Sequence, residues 1–265
     1  MNLNNLMTKV YKIFLPSALI ILLNSCQPKE AKLRFHGFGN SAEVHLFGND
    51  NFPAISADLK ILVPTDSLAY HGLYQVMAST YFDSLYDEHK SCDENLQNIS
   101  QLFIVNYQSL EQELNPDSIE IGSSYNWEII KNNKIVYHGK QYISFMNEQY
   151  AFTGGAHGNT MRDYYTYDLK NQKLLTSGAI FISDSCSAII ELQKRSLTKA
   201  GIDLGNLWDD GFKCDNFYLL NKGIVFHYNQ YEIASYAAGP MDVFVSFKEI
   251  QPYLKNTELL KEQNK

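Results

Sequence analysis

The chain of 265 residues contains no His-Glu-x-x-His and no Gly-x-Ser-x-Gly, and it has only four cysteines. Without the first motif there is no two-histidine helical zinc site, and without the second there is no strained nucleophile turn of the α/β-hydrolase kind. No two of Cys92, Cys186 and Cys214 stand at metal-ligand spacing, so neither a metal nor a cofactor is expected. Basic charge is also short: 22 Lys and Arg against 29 Asp and Glu leave a net charge of −7. That balance argues against a nucleic-acid partner and against a basic face adhering to anionic lipid. The longest apolar stretch falls short of the ~20 residues a membrane-spanning helix needs.

That apolar stretch begins the inventory of what is present. Lys9 and Lys12 precede an apolar run over 13–23, interrupted by Pro16 and followed by Asn24-Ser25-Cys26. The pattern reads as a secretory signal. Its Leu-x-Ser-Cys ending resembles the bacterial lipobox, which implies a signal peptide over 1–25 and a diacylglycerol on the Cys26 sulfur. Residues 26–40, with Pro28, Gly37 and Gly39, read as a lipidated tether onto which Phe35 and Phe38 can dock. More than one acyl chain is needed for stable anchoring, because a single chain binds only marginally. Gln27 stands where inner-membrane lipoproteins of enteric bacteria carry aspartate, so the envelope location expected is the outer membrane of a Gram-negative cell. Loss of 1–25 removes two lysines and no acids, taking the formal charge from −7 to −9. An acidic exported domain suits a cationic partner. Cys92, Cys186 and Cys214 then permit one disulfide and one free thiol in an oxidising compartment, and Cys186 with Cys214 is the favoured pair.

Alternation predicts strands over 44–47 and 54–63, punctuated by Pro53 and Pro64. Leu73, Val76, Met77, Tyr81 and Leu85 then recur at helical spacing, predicting a helix over 67–88 with Asp66 or Ser67 at its start. Ser91 followed by Glu94 is a capping-box pattern opening a second helix, which Pro116 stops. From residue 125 the pattern turns to strands: 126–131 and 134–139 about an Asn132-Asn133 turn, then 141–152, 160–169 and a short piece near 174. Asp184 is placed to cap a helix over 185–199, closed by Gly201. A hairpin over 215–228 turns at Asn221-Lys222, strand 242–246 follows, and Ser246 with Glu249 repeats the capping-box spacing. The fold class expected is α+β: an antiparallel sheet meander with two long helices from the N-terminal half and one or two from the C-terminal half packed on it. A soft domain boundary is drawn near residue 140, with a polar tail over 255–265.

The stretch Tyr150-Ala-Phe-Thr-Gly-Gly-Ala-His-Gly-Asn159 reads as a hairpin with a constrained tip, since Gly154, Gly155 and Gly158 permit positive φ and close backbone approach. With the Asp168-Leu-Lys170 turn and Tyr231-Glu-Ile-Ala-Ser-Tyr-Ala-Ala-Gly-Pro240, it resembles an envelope domain of unknown function. That domain occurs in the extracellular part of RsiV-like, lysozyme-sensing anti-sigma factors, and it accompanies the catalytic unit of some peptidoglycan deacetylases. Residues 41–139 are similar to the PdaC-type domain that usually precedes it, leaving 140–254 as the C-terminal domain. The resemblance implies an α+β fold facing the cell wall, with lysozyme as the family-derived partner. Two departures stand out. Only 12 residues precede the apolar run, so no cytoplasmic part to hold a sigma factor is expected, and the Asp/His/His set of such deacetylases is missing.

Tyr150, Gly154, Gly155, His157, Tyr231 and Tyr236 are the candidate contact residues. For His157, a structural tip whose ring hydrogen-bonds a neighbouring strand ranks first, a binding contact second, and catalysis or metal binding last. Tyr228, Tyr231 and Tyr236 suit a sugar- or protein-binding surface, because tyrosine joins an apolar face to a polar end. With 18 tyrosines in the chain, packing is the simpler account. Glu232 and Asp242 are a candidate carboxylate pair of unknown separation, and Asp209-Asp210-Gly211 reads as a turn rather than a calcium loop. No catalytic residue or metal ligand is assigned. Three functions follow in order: a non-enzymatic envelope lipoprotein binding peptidoglycan, another wall component or a cationic wall-acting protein such as lysozyme; a peptidoglycan-modifying hydrolase using His157; and a structural lipoprotein without a ligand.

Overall fold

In the computed structural model, which describes residues 32–117, 122–255, 257, 259 and 260, the strand on which the N-terminal half is built is β2, Ala54–Pro64. Its alternating sequence places Ile55, Ala57, Leu59, Ile61 and Val63 on one face, each at most 1% exposed. β1, Phe35–His45, pairs antiparallel along the whole of β2, from Phe35 opposite Pro64 to His45 opposite Ala54. The tether expected over 26–40 is thus half replaced by a strand, because Phe35 and Phe38 pack on the core. Residues 26–31, including Cys26, lie outside the described residues, as does the signal expected over 1–25.

Two helices follow. α1, His71–Phe82, buries Leu73, Met77 and Tyr81 over β2 and stops at Asp83, which takes φ +52. The expected continuation to residue 88 fails there, and Leu85 is left 45% exposed. α2, Cys92–Gln108, starts at the predicted capping box: Glu94 N donates to Ser91 Oγ at 3.2 Å and Ser91 N donates to Glu94 Oε2 at 2.8 Å. This helical excursion returns the chain to the start of β2, so β3, Trp127–His138, lies parallel to it from Ile55↔Trp127 to Lys60↔Asn132. The α+β class and the antiparallel meander from β3 onward stand as expected, and the β2–β3 join adds one parallel pair, since parallel neighbours need a long crossover and α1 with α2 supplies it.

The expected Asn132-Asn133 turn is not formed either; both residues lie inside β3. Where the β2–β3 ladder ends, the Asn133 side chain takes over. Leu62 N donates to its Oδ1 at 2.6 Å and its Nδ2 donates to Leu62 O at 3.0 Å. The carboxamide acts as one more peptide group, which keeps asparagine in a strand that it otherwise disfavours. β4, Tyr142–Phe152, β5, Asn159–Asp168, and β6, Lys173–Leu174, complete a six-stranded sheet in chain order. The notional boundary at residue 140 falls in the connection between β3 and β4, two strands of that sheet.

After a single turn, α3, Ser177–Ile180, comes α4, Cys186–Lys199. Its N-cap is Ser185 rather than Asp184, and Gly201 takes φ +83 just past its end. Cys186 and Cys214 form a disulfide with their Cα atoms 6.0 Å apart, while Cys92 is free and buried beside the Tyr74 hydroxyl. β7, Phe217–Leu220, β8, Gly223–Tyr228, and β9, Met241–Ser246, form a second, antiparallel sheet. α5, Phe247–Ile250, follows, capped by Ser246 Oγ, which accepts from Glu249 N. Ile189, Leu192, Phe226 and Val245 centre this second core, which also buries Leu259 within the expected polar tail. Among the described residues no helix is long and apolar enough to cross a membrane.

Two stability measurements follow. Asn133→Leu removes both bonds to Leu62 and is expected to cost about 1–3 kcal/mol, read as a lowered urea midpoint at unchanged slope. Bonding by Lys199 and then Ser246 draws the Glu249 carboxyl down to about 2. Its contribution is therefore complete above the unfolded value of about 4.3 and is lost as pH falls toward 2. Glu249→Gln should lower stability by less than about 1 kcal/mol at pH 7, the pair being on the surface, with the difference from wild type vanishing near pH 2.

Candidate functional site

β4 and β5 run as a hairpin with Ala151 opposite Asn159, leaving 153–158 as its tip. Gly154 and Gly155 take φ of +96° and +97°, the left-handed region that a side chain disfavours. A Cβ at Gly154 would stand 2.8 Å from the Ser124 carbonyl oxygen, so the tip rests against the turn before β3, whereas Gly155 opens onto free space. Gly158 serves a different purpose: a Cβ there would come within 2.4 Å of the Tyr150 ring. The aromatic side chain packs directly on backbone.

This packing presents His157 outward. Its ring stacks on Tyr236 with centroids 3.7 Å apart and planes 20° from parallel, and its Nδ1 lies 3.1 Å from Gly158 O. The Tyr236 hydroxyl donates to that same carbonyl at 2.9 Å, across 78 residues of sequence. Tyr231, at φ +67° and 54% exposed, extends the face, its ring 5.6 Å from that of Tyr236. The structure thus brings Tyr150, Gly154, His157, Tyr231 and Tyr236 to one place, with Gly155 at its rim. The arrangement is one of ring faces and a shared carbonyl, suited to contact; no carboxylate or nucleophile bonds His157 among the described residues.

The other singled-out residues part company with this surface. Tyr228, expected with Tyr231 and Tyr236, is buried instead: its hydroxyl meets Gln193 and the Lys213 backbone, and burial pushes it up to about 12. Glu232 and Asp242 have separate partners. Glu232 accepts from Asn229 N at 2.7 Å, and Asp242 Oδ1 lies 2.7 Å from Nδ1 of His227. Asp209 is in a single helical turn, paired with Lys194. His227 itself went unnoticed in the sequence. It is 3% exposed, with Nε2 3.3 Å from Asn229 Oδ1 and its ring beside Tyr164. A histidine inside the apolar run 223–228 was the available signal, since a buried ring requires polar partners.

Residues 78–160 match the family model described as Deacetylase PdaC, and residues 187–248 match that of a protein of unknown function, DUF3298. The two matches correspond to a PdaC-type segment followed by a DUF3298-type segment. Over 150 residues it is 27% identical to the peptidoglycan-N-acetylmuramic acid deacetylase PdaC of Bacillus subtilis (strain 168), an alignment covering 52% of this chain and 32% of that protein. The chain therefore spans about a third of the curated relative's length. A crystal structure of a DUF3298-family member from Bacteroides fragilis superposes with a TM-score of 0.80 at 22% identity, covering 89% of this chain and 98% of that one. A DUF3298-family structure from Pseudomonas aeruginosa PAO1 gives 0.60 at 16% identity, covering 87% and 97%. Both likenesses concern the fold. The PdaC match runs through residue 140 and ends just past the glycine tip, whereas Tyr231 and Tyr236 fall in the DUF3298 match. The His157–Tyr236 stack is accordingly a contact between the PdaC-type and DUF3298 segments.

Gly154→Ala, combining a left-handed φ with a close approach to Ser124, should destabilise by about 1–3 kcal/mol and abolish the ring-current shift that Tyr236 imposes on the His157 protons. Gly155→Ala, strained but unobstructed, should keep that shift; proton NMR distinguishes the two.

Proposed function

We propose that this is a non-enzymatic lipoprotein of the cell envelope, anchored through acylated Cys26, that binds a wall component or a cationic wall-acting protein, with lysozyme as the leading candidate. One observation carries the reading: the two segments bearing the family resemblance, 150–159 and 231–240, meet in an exposed face of His157, Tyr231 and Tyr236. Tyrosine and histidine rings of this kind supply contact area at little entropic cost. The acidic balance of the exported chain favours encounter with a basic partner. The name of the Bacillus subtilis relative, a peptidoglycan deacetylase, supports a setting at the wall. A hydrolase built on His157 finds less support, because its ring is engaged by Tyr236 and Gly158 rather than by an acid that would orient it.

The test is titration with lysozyme and, separately, with purified peptidoglycan at several salt concentrations. Tyr236→Ala should weaken the productive interaction at least about tenfold, a loss of about 1.4 kcal/mol, with His157→Ala next. Absence of wild-type binding to lysozyme at low salt removes that partner, and absence of binding to both removes the reading.

A further inference from the structure

A groove lies on the face of the large sheet that α1 and α2 cover. Along most of their length β3, β4 and β5 present core residues there, among them Ile143, Phe145 and Tyr167. Toward the glycine tip the same face turns polar, with Lys131, Asn147, Gln149 and Asp163 forming the floor of a groove of about 600 Å³ beside the end of α1. Asp83, in its left-handed conformation, stands on the wall. Asn147 is the informative residue. It is 6% exposed, yet neither its Oδ1 nor its Nδ2 has a hydrogen-bond partner. The buried amides of Asn133 and Asn229 are both engaged. An unpaired buried amide is rare enough to require an explanation, and this one lines an open groove.

We infer that the groove is a binding site for an uncharged, hydroxyl-rich ligand, a sugar residue of a glycan, with the Asn147 carboxamide as its central contact. A carboxamide holds a donor and an acceptor side by side, and vicinal hydroxyls, each able to donate and accept, complement both at once. Gln149 adds a second amide, Lys131 a donor and Asp163 an acceptor, while the Tyr165 ring on the same lining offers an apolar face for sugar C–H groups. Charge argues against an anion, since Lys131 faces Asp83 and Asp163, and Glu148 is already taken by Arg162 at 2.6 Å. It argues equally against a cation: Lys131 occupies the floor beside Asp163, and desolvation, with Glu232 nearby, pushes the Asp163 carboxyl up. Among the described residues no three His, Cys, Asp or Glu side chains are grouped to hold a metal. The groove shares no residue with the His157–Tyr236 face, and the inference does not rest on the role of that face.

The full chain should be titrated with chitotriose and with cellotriose while its backbone amides are followed by NMR. Shifts are expected at Asn147, Gln149 and Asp163, with affinity in the range around 1 mM, about −4.1 kcal/mol. Asn147→Leu should reduce affinity at least about tenfold while raising the melting temperature of the free protein, because it removes an unpaired amide. Gln149→Ala, a milder change, should weaken binding with the fold intact, and Tyr236→Ala should leave it unchanged. If neither sugar perturbs these amides, or if Asn147→Leu and Gln149→Ala both bind as the wild type does, the groove holds only water and the inference fails. A loss of wall or lysozyme binding in Tyr236→Ala bears on the tip alone.

Discussion

A strand edge covered by the rest of a protein leaves amide and carbonyl groups that must be paired, and here asparagine side chains do the pairing. The outer edge of β5 has β6 beside it only at Tyr167 and Asp168. Farther along, Asn229 Oδ1 accepts from Arg162 N at 2.7 Å, Asn216 Oδ1 accepts from Tyr164 N at 2.9 Å, and both amides donate to Arg162 O. Both asparagines flank strands of the small sheet. Asn133 closes the end of the β2–β3 pairing in the same manner, and Asn126 Oδ1 receives Ala54 N at the other end. The two sheets are thus joined by side chains acting as peptide groups. Ser144 adds a further stitch: its Oγ lies 2.8 Å from Thr166 Oγ1 and accepts from Leu219 N.

This constraint explains which parts of the fold could be read from sequence. Local signals succeeded. The Ser91/Glu94 box, the Asn221-Lys222 hairpin and Gly201 all depend on contacts within a few residues, and each is where its pattern placed it. Expectations that hinged on distant partners failed. Asn132-Asn133 has the chemistry of a turn, and only partners distant in sequence, Lys60, Leu62, Asn147 and Glu148, hold it in a strand. The parallel placement of β3 is likewise invisible locally, because period-two alternation is the same for either direction. The end of α1 departs from its apolar stripe at a single unusual residue, Asp83.

The candidate sites divide along the same line. The glycine tip and the Tyr231–Pro240 segment each stand out as composition, so their residues were accessible, although nothing in the sequence said that His157 and Tyr236 would stack. The groove left no such trace. Its floor takes one or two residues from each of three strands, Lys131, Asn147 with Gln149, and Asp163, and each is an ordinary polar position in its own alternation. Register alone aligns Asn147 with Asp163. The pairing of buried His227 with exposed Asp242, joined across β8 and β9, is of the same kind.

The parallel join between β2 and β3 also bears on the order in which the molecule assembles. The β1–β2 and β4–β5 hairpins close over short loops, but the bond from Ala54 to Asn126 spans 72 residues. Loops of that length close slowly, and contacts across them form late. As the chain emerges, β2 has one edge satisfied by β1 and the other bare, and its apolar face of Ile55, Leu59 and Ile61 is still uncovered. Until β3 arrives, that edge is the stretch most prone to pair with another molecule. The only shelter then available is α1 and α2, which are made next and pack on the same residues. The helical excursion between the strands therefore acts as a guard for the growing sheet as well as a connection.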